Sequence, residues 1–173
     1  MAATYTIVAQ NVAFAANKSM ISVFNGSGSG KVIRVYRIWA LNNQLVAVTG
    51  VLTNLEIRRI TASSGGTDLA SLVAKHDSTS AALPSQVAVA TNATVTPSTL
   101  FRRVLWSTDE PAANAAVTMD ELETIVPLAC IWAMGYADTA VEPITLREGY
   151  GVAVLNTGGA IGQADFIMEL TST

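Results

Sequence analysis

The sequence predicts an all-β fold: an antiparallel β-sandwich of jelly-roll-like type, with one long irregular loop excursion. Two observations carry this prediction. Short segments rich in β-branched and aromatic residues recur along the chain, and Gly, Pro, Asn, Asp or Ser residues separate them. Helical signals are scarce, and the strands do not alternate with helices as they would in a parallel sheet. The 173 residues are enough for one domain with a substantial core.

Residues 1–30 are predicted to form an N-terminal arm or edge strand that pairs with a sheet edge or lies on a neighbouring subunit, and residues 31–173 to form a single β-sandwich domain. The predicted strands, in order, are TYTIVAQNVAFAA (4–16), KVIRVYRIWALNN (31–43), VTGVLTNLEIRRIT (48–61), SQVAVATNATVT (85–96), TLFRRVLWST (99–108), LETIVPLACIWAM (122–134), EPITLREGYGVAVLN (142–156) and QADFIMELTST (163–173).

The remaining segments predict little regular structure. Residues 67–77 could form about two helical turns with Thr67 or Asp68 as the N-cap, and residues 111–123 could hold a further turn. The stretch from Ala62 to Ser98 is rich in Ser, Ala, Thr and Gly. It is long for a simple connection, which indicates an excursion that makes contacts.

Composition favours a chain that is covered by partners. Half of the residues are hydrophobic and 13% are charged, against about 25% charged in a typical soluble domain. A large apolar surface predicts a homo-oligomer. The net charge of −3 argues against a nucleic-acid partner, and the longest uncharged apolar run (125–137) is too short to cross a membrane. The N-terminus lacks a signal-peptide pattern, so synthesis in a cytoplasm is expected.

Two glycine-containing stretches superficially resemble phosphate-binding loops. Gly149-Tyr150-Gly151 lacks the third glycine of a dinucleotide fingerprint and leads into a strand, so it is predicted to be a bend between strands. NGSGSGKV (25–32) lacks the first glycine and the final Ser or Thr of a P-loop. Neither stretch predicts a nucleotide site.

The sequence contains few candidate catalytic or metal-binding residues. His76 and Cys130 are the single histidine and cysteine, so one chain cannot build the usual tetrahedral zinc sites. His76 is expected in a polar loop, making a local or intersubunit hydrogen bond, and Cys130 is expected to be a buried structural thiol. The chain is therefore predicted not to be an enzyme, with no catalytic residue, cofactor or metal.

The arginines give the most informative pattern. In residues 31–41, one predicted strand face carries Ile33, Val35, Arg37, Trp39 and Leu41, and the other carries Val32, Arg34, Tyr36 and Ile38. In residues 101–106, Arg103 shares a predicted face with Phe101 and Leu105, and Arg102 shares the opposite face with Val104 and Trp106. Both faces are apolar and each carries an arginine, whereas a half-exposed strand should alternate. Either a loop covers a central strand and the arginine reaches water, or the second face is an intersubunit contact.

The interface reading predicts a set of contact residues: Arg34, Arg37, Arg58, Arg59, Arg102, Arg103, Trp39 and Trp106. One arginine of each consecutive pair must share a face with apolar residues, as Arg59 does with Leu55 and Ile57. Such an arginine needs a carboxylate or several carbonyls. The candidate acids are Glu56, Glu123, Glu148 and Glu169, and we expect at least one of the paired arginines to bind across a subunit boundary.

The order of KVIRVYRIWALNNQ, LEIRRIT, a Gly-Gly turn, KHDSTSAALPS, LFRR and PITLREGYGVAVLN resembles small structural proteins of tailed bacteriophages, in particular the all-β capsid decoration (cement) class. The resemblance runs from about Lys31 to the C-terminus. It implies a jelly-roll-like virion protein, usually a trimer, that clamps neighbouring copies of a major capsid protein. The alternative function is a receptor- or carbohydrate-binding jelly roll of a tail or fibre, which should display exposed aromatic residues at a loop rim.

Overall fold

The computed structural model describes residues 2–44, 52–108, 129–134 and 142–173. These residues form two antiparallel six-stranded sheets packed together, which confirms the predicted all-β sandwich. The strands are β1 (Ala3–Ala13), β2 (Ser19–Asn25), β3 (Ile33–Asn42), β4 (Leu52–Ser64), β5 (Thr67–Asp68), β6 (Val73–Lys75), β7 (Val87–Thr91), β8 (Thr94–Ser107), β9 (Ala129–Ala133), β10 (Ile144–Leu146), β11 (Tyr150–Asn156) and β12 (Gln163–Ser172).

The strand order is that of a jelly roll. The first sheet runs β10-β3-β12-β1-β6, with β9 also paired to β3, and the second runs β5-β7-β2-β11-β4-β8. Strands that follow one another along the chain, β1 and β2, β3 and β4, and β11 and β12, lie in opposite sheets. An eight-stranded core, β10-β3-β12-β1 facing β8-β4-β11-β2, therefore wraps around one interior, and β5, β6, β7 and β9 extend it at the edges.

The first 30 residues are integral to both sheets. β1 lies between β12 and β6, and β2 lies between β11 and β7. Residues 2–30 therefore contribute one strand to each sheet, and β1 is paired with β6 only over Tyr5–Ile7. The alternation in TYTIVA reflects one face in the core: Tyr5, Ile7 and Ala9 are buried.

The core lies between the sheets and is built from inward-facing residues of most strands. Ile7 and Phe166 from the first sheet and Ile57 and Val154 from the second are fully buried. Phe14 meets Phe166 edge-on, with 6.3 Å between the ring centroids. This continuous cluster explains the high apolar fraction in part, without a partner.

The long excursion closes one side of the sandwich. It contributes β5 and β7 to the second sheet and β6 to the first. The helix expected over residues 67–77 is reduced to a single 3₁₀ turn at Ala70–Leu72, because β5 and β6 pair with their sheets on either side. The turn expected within 111–123 lies outside the described residues.

A β-bulge in β3 overturns the predicted faces of that strand. Arg37 is opposite Glu169 and Val35 is opposite Leu170, so Tyr36 is the extra residue. Ile33 and Val35 face the core before the bulge, and Ile38 and Ala40 face it afterwards. Arg37 and Trp39 consequently share the outer face with Arg34, and the strand is not apolar on both sides.

Candidate functional site: the arginine-rich edges

Glu56 on β4 is the buried anion of the second sheet. Its side chain is 2% exposed, and it accepts hydrogen bonds from Arg58 Nε at 2.5 Å and Arg103 Nε at 2.9 Å. Burial raises the pKa of the Glu56 carboxyl, but the hydrogen bonds from Arg103 and Arg58 outweigh it and leave the pKa below its ordinary value. Glu56 was among the predicted acids, and its partners belong to the same chain.

The sequence predicts that Arg103 and Phe101 share a strand face, but in the structure they do not. Ile57 is opposite Arg102 and Arg58 is opposite Leu100, so Phe101 is a bulged residue. Phe101 turns inward to pack on Trp132, with 5.8 Å between the rings, while the Arg103 side chain is 61% exposed.

Arg37 on β3 is held by the opposite strand. Its Nε lies 3.0 Å from Glu169 of β12, and both side chains are about a third exposed. Glu169 was also among the predicted acids. Trp39, two residues along on the same outer face, is half-buried.

Arg59 has the position that the sequence predicts, on the face of Leu55 and Ile57. It lies opposite Val152 of β11, a core residue, and donates a hydrogen bond of 3.1 Å to the Thr145 carbonyl of β10 in the other sheet. Its guanidinium stacks over the rings of Phe101, at 5.3 Å, and Tyr150, at 5.8 Å. A carboxylate or several carbonyls were expected as its partner, and the structure shows one carbonyl together with two aromatic rings.

Arg59 forms one wall of a surface cleft that brings three arginines together. The cleft has a volume of about 410 Å³ and is lined by Arg34, Arg59, Glu142, Pro143, Thr145, Arg147 and Tyr150. Arg34 donates to Thr173 Oγ1 at 3.1 Å, but neither it nor Arg59 or Arg147 forms an ion pair with any described carboxylate. Sequence reasoning missed Arg147, since a turn arginine carries no strand periodicity.

An adjoining cavity of about 260 Å³ continues the cleft with apolar walls. It shares Arg59, Glu142, Pro143 and Thr145 with the cleft and adds Phe101, Trp132, Met134 and Ile144. The two cavities together place three guanidinium groups next to an aromatic and aliphatic surface.

The outer edge of β8 is the other exposed surface that bears predicted residues. β8 ends the second sheet in the described part of the chain, and Arg102 on it is exposed. Leu105 on β8 and Leu52 on β4 are 64% and 59% exposed, and they lie diagonally across the strand pair. Trp106, by contrast, is buried at this edge.

The two glycine stretches bind each other. The backbone N–H groups of Gly28 and Gly30 donate to the Glu148 carboxylate at 3.1 and 2.7 Å. These bonds hold the pKa of Glu148 below its ordinary value. Gly149 has a φ of +80°, as a bend between β10 and β11 requires. The loop that resembles a P-loop therefore binds the Glu148 carboxylate of the same chain.

Neither His76 nor Cys130 lines the cleft or its adjoining cavity. His76 Nε2 lies 2.7 Å from the Thr6 hydroxyl of β1, an intrachain hydrogen bond between residues 70 positions apart. Cys130 is exposed on β9, so the expected buried thiol is wrong: the bulge at Ile131 places Ile131, not Cys130, in the core. Within the described residues no group of three or more His, Cys, Asp or Glu could hold a metal ion.

Neither a protein-family model nor a curated protein nor a solved structure matches this chain. No helix in the described part of the chain is long and apolar enough to cross a membrane.

Proposed function

We propose that this protein is a structural subunit of a phage virion, a capsid decoration protein that forms a homo-oligomer, with a trimer favoured, and binds the major capsid protein of the head. The observation that carries the proposal is the exposed edge at β4 and β8, where Leu105 and Arg102 project from the 14-residue β8 and Leu52 projects from the neighbouring β4. A long edge strand with exposed apolar side chains is a template for another chain. The resemblance to cement proteins supplies the class of assembly.

The jelly roll supports the proposal only at the level of fold, since viral capsid proteins and lectins both use it. The alternative, a receptor- or carbohydrate-binding module, requires exposed aromatic rings. Tyr150 is the exposed large aromatic residue of the described chain, at 44%, while Trp106 is buried and Trp39 and Trp132 are half-buried. A single exposed ring favours the assembly role.

Light scattering of the purified protein at micromolar concentration tests the homo-oligomer. The double variant L52E/L105E should lower the mass to that of one chain, because it puts charge into an apolar contact. L72E is the matched control: Leu72 is 55% exposed, but it belongs to the 3₁₀ turn, which contacts β1 and β7 at the opposite side of the sandwich. L72E should leave the mass unchanged.

Cosedimentation with heads assembled from the shell protein of the same virus tests the capsid role. The wild type should sediment with the heads and L52E/L105E should remain in the supernatant. A wild-type protein that is a monomer and does not sediment with the heads would contradict the proposal, and glycan-array binding lost in Tyr150→Ala would favour the alternative.

A further inference from the structure

We infer that the cleft between β10 and Arg59 is a docking site for an acidic peptide segment of a partner protein, in which carboxylates alternate with apolar side chains. Three of the residues that line it are arginines and one is a glutamate, so its charge is opposite to that of the occupant. The inference does not depend on the proposed function, because it rests on the residues that line the cleft, whereas that function rests on the exposed side chains of Leu52, Leu105 and Arg102.

Arg59 is preorganised to bind a carboxylate. The Thr145 carbonyl fixes one of its N–H groups, and the rings of Phe101 and Tyr150 fix the plane of the guanidinium. The remaining donors of the fork keep their capacity for a bidentate bond to a carboxylate. Less side-chain entropy is then lost on binding than with a free surface arginine.

The surroundings favour a peptide over a small anion. The cavity next to the arginines is lined by Phe101, Trp132, Met134 and Ile144, which suit an apolar side chain. Among the described residues β10 is the end strand of its sheet path, so the cleft runs along a sheet edge, where extended peptides bind.

Fluorescence anisotropy with a labelled peptide Glu-Leu-Glu-Leu-Glu-Leu tests the inference, with Gln-Leu-Gln-Leu-Gln-Leu as the control peptide. We expect saturable binding of the acidic peptide by the wild-type chain. Arg59→Gln and Arg147→Gln should each weaken binding about tenfold or more, the range for a hydrogen bond to a charged group. Arg102→Gln is the matched control: it removes the same charge from an exposed arginine outside the cleft, and it should change binding less than about twofold.

Each other outcome would overturn the inference. Equal losses in Arg102→Gln and Arg147→Gln would mean that only net charge attracts the peptide, and no saturation below about 1 mM would mean that there is no site. Tighter binding of pyrophosphate or of a heparin oligosaccharide than of the peptide would assign the cleft to another ligand. If Arg59→Gln fails to fold, the Arg147→Gln variant still tests the inference, because Arg147 is exposed. Leu105→Glu should not change the affinity for the acidic peptide.

Discussion

At the residue scale, the arginines fall into two groups: those that bind a carboxylate of the described chain and those that form no ion pair there. Arg58 and Arg103 bind the buried Glu56, and Arg37 binds Glu169. The hypothesis of a pair across a subunit boundary now concerns Arg59 and Arg102, since these two of the four consecutive arginines form no ion pair among the described residues. An arginine that is held by carbonyls and aromatic rings, as Arg59 is, keeps donors for a second molecule.

We expect Glu56→Gln to lower the free energy of unfolding by about 2 kcal/mol at neutral pH, because it removes the acceptor charge of two guanidinium groups at a buried position. Urea denaturation measures the change. Glu169→Gln is the matched control. Its ion pair with Arg37 is about a third exposed, so the loss should stay below about 1 kcal/mol.

The loss of stability in Glu56→Gln should also depend on pH. The folded pKa of Glu56 lies below the ordinary value of 4.5, so its stabilisation is complete above that pH and is lost as the pH falls from there through the folded pKa. The stability difference between wild type and Glu56→Gln should therefore shrink in acid below about pH 4.5. A difference that stays constant down to pH 3 would mean that the two arginines do not stabilise the ionised form.

At the element scale, most of the long strands could be predicted from the sequence, but the buried β2 and the β-bulges could not. β-Branched and aromatic runs bounded by turn residues located β3, β8, β11 and β12. The predicted side-chain faces were wrong around Tyr36 and Phe101, because the extra residue of a β-bulge reverses the alternation of the strand and cannot be recognised from composition. The cleft was missed for a related reason. It brings Arg34, Arg59 and Arg147 together from three elements, and only the pairing of β10 with β3 makes them neighbours.

The close approach of β2 and β11 gives an element-scale prediction. Gly151 lies opposite Phe24, and a Cβ there would sit 2.4 Å from the Val23 carbonyl oxygen and 2.9 Å from the Phe24 Cα. Because both are backbone atoms, Gly151→Ala must push the strands apart, at about 1–3 kcal/mol. Gly159→Ala, where a Cβ meets nothing within 4 Å, is the control. Equal melting temperatures for the two variants would mean that the strands separate without cost.

At the scale of the whole molecule, the jelly roll depends on its first strand. β1 pairs with β12 over most of its length, and β12 in turn pairs with β3. Tyr5, Ile7 and Ala9 are opposite Leu170, Met168 and Phe166, and all six side chains are in the core cluster. A strand in this position is a structural requirement of the sandwich, whatever the chain assembles with.

Deletion of residues 1–10 should therefore unfold the domain rather than only weaken assembly. It uncovers Phe166, Met168 and Leu170 and removes the buried Tyr5 and Ile7, each such side chain contributing about 1.5–3 kcal/mol. The sum is comparable with the entire stability of a typical domain, about 5–15 kcal/mol. A chain that begins at Ala3 is the control, because it keeps every paired residue of β1. Circular dichroism and a thermal melt decide between the two roles of the N-terminus: a cooperative transition and a native spectrum in the variant lacking residues 1–10 would show that β1 is dispensable, as a detachable arm would be.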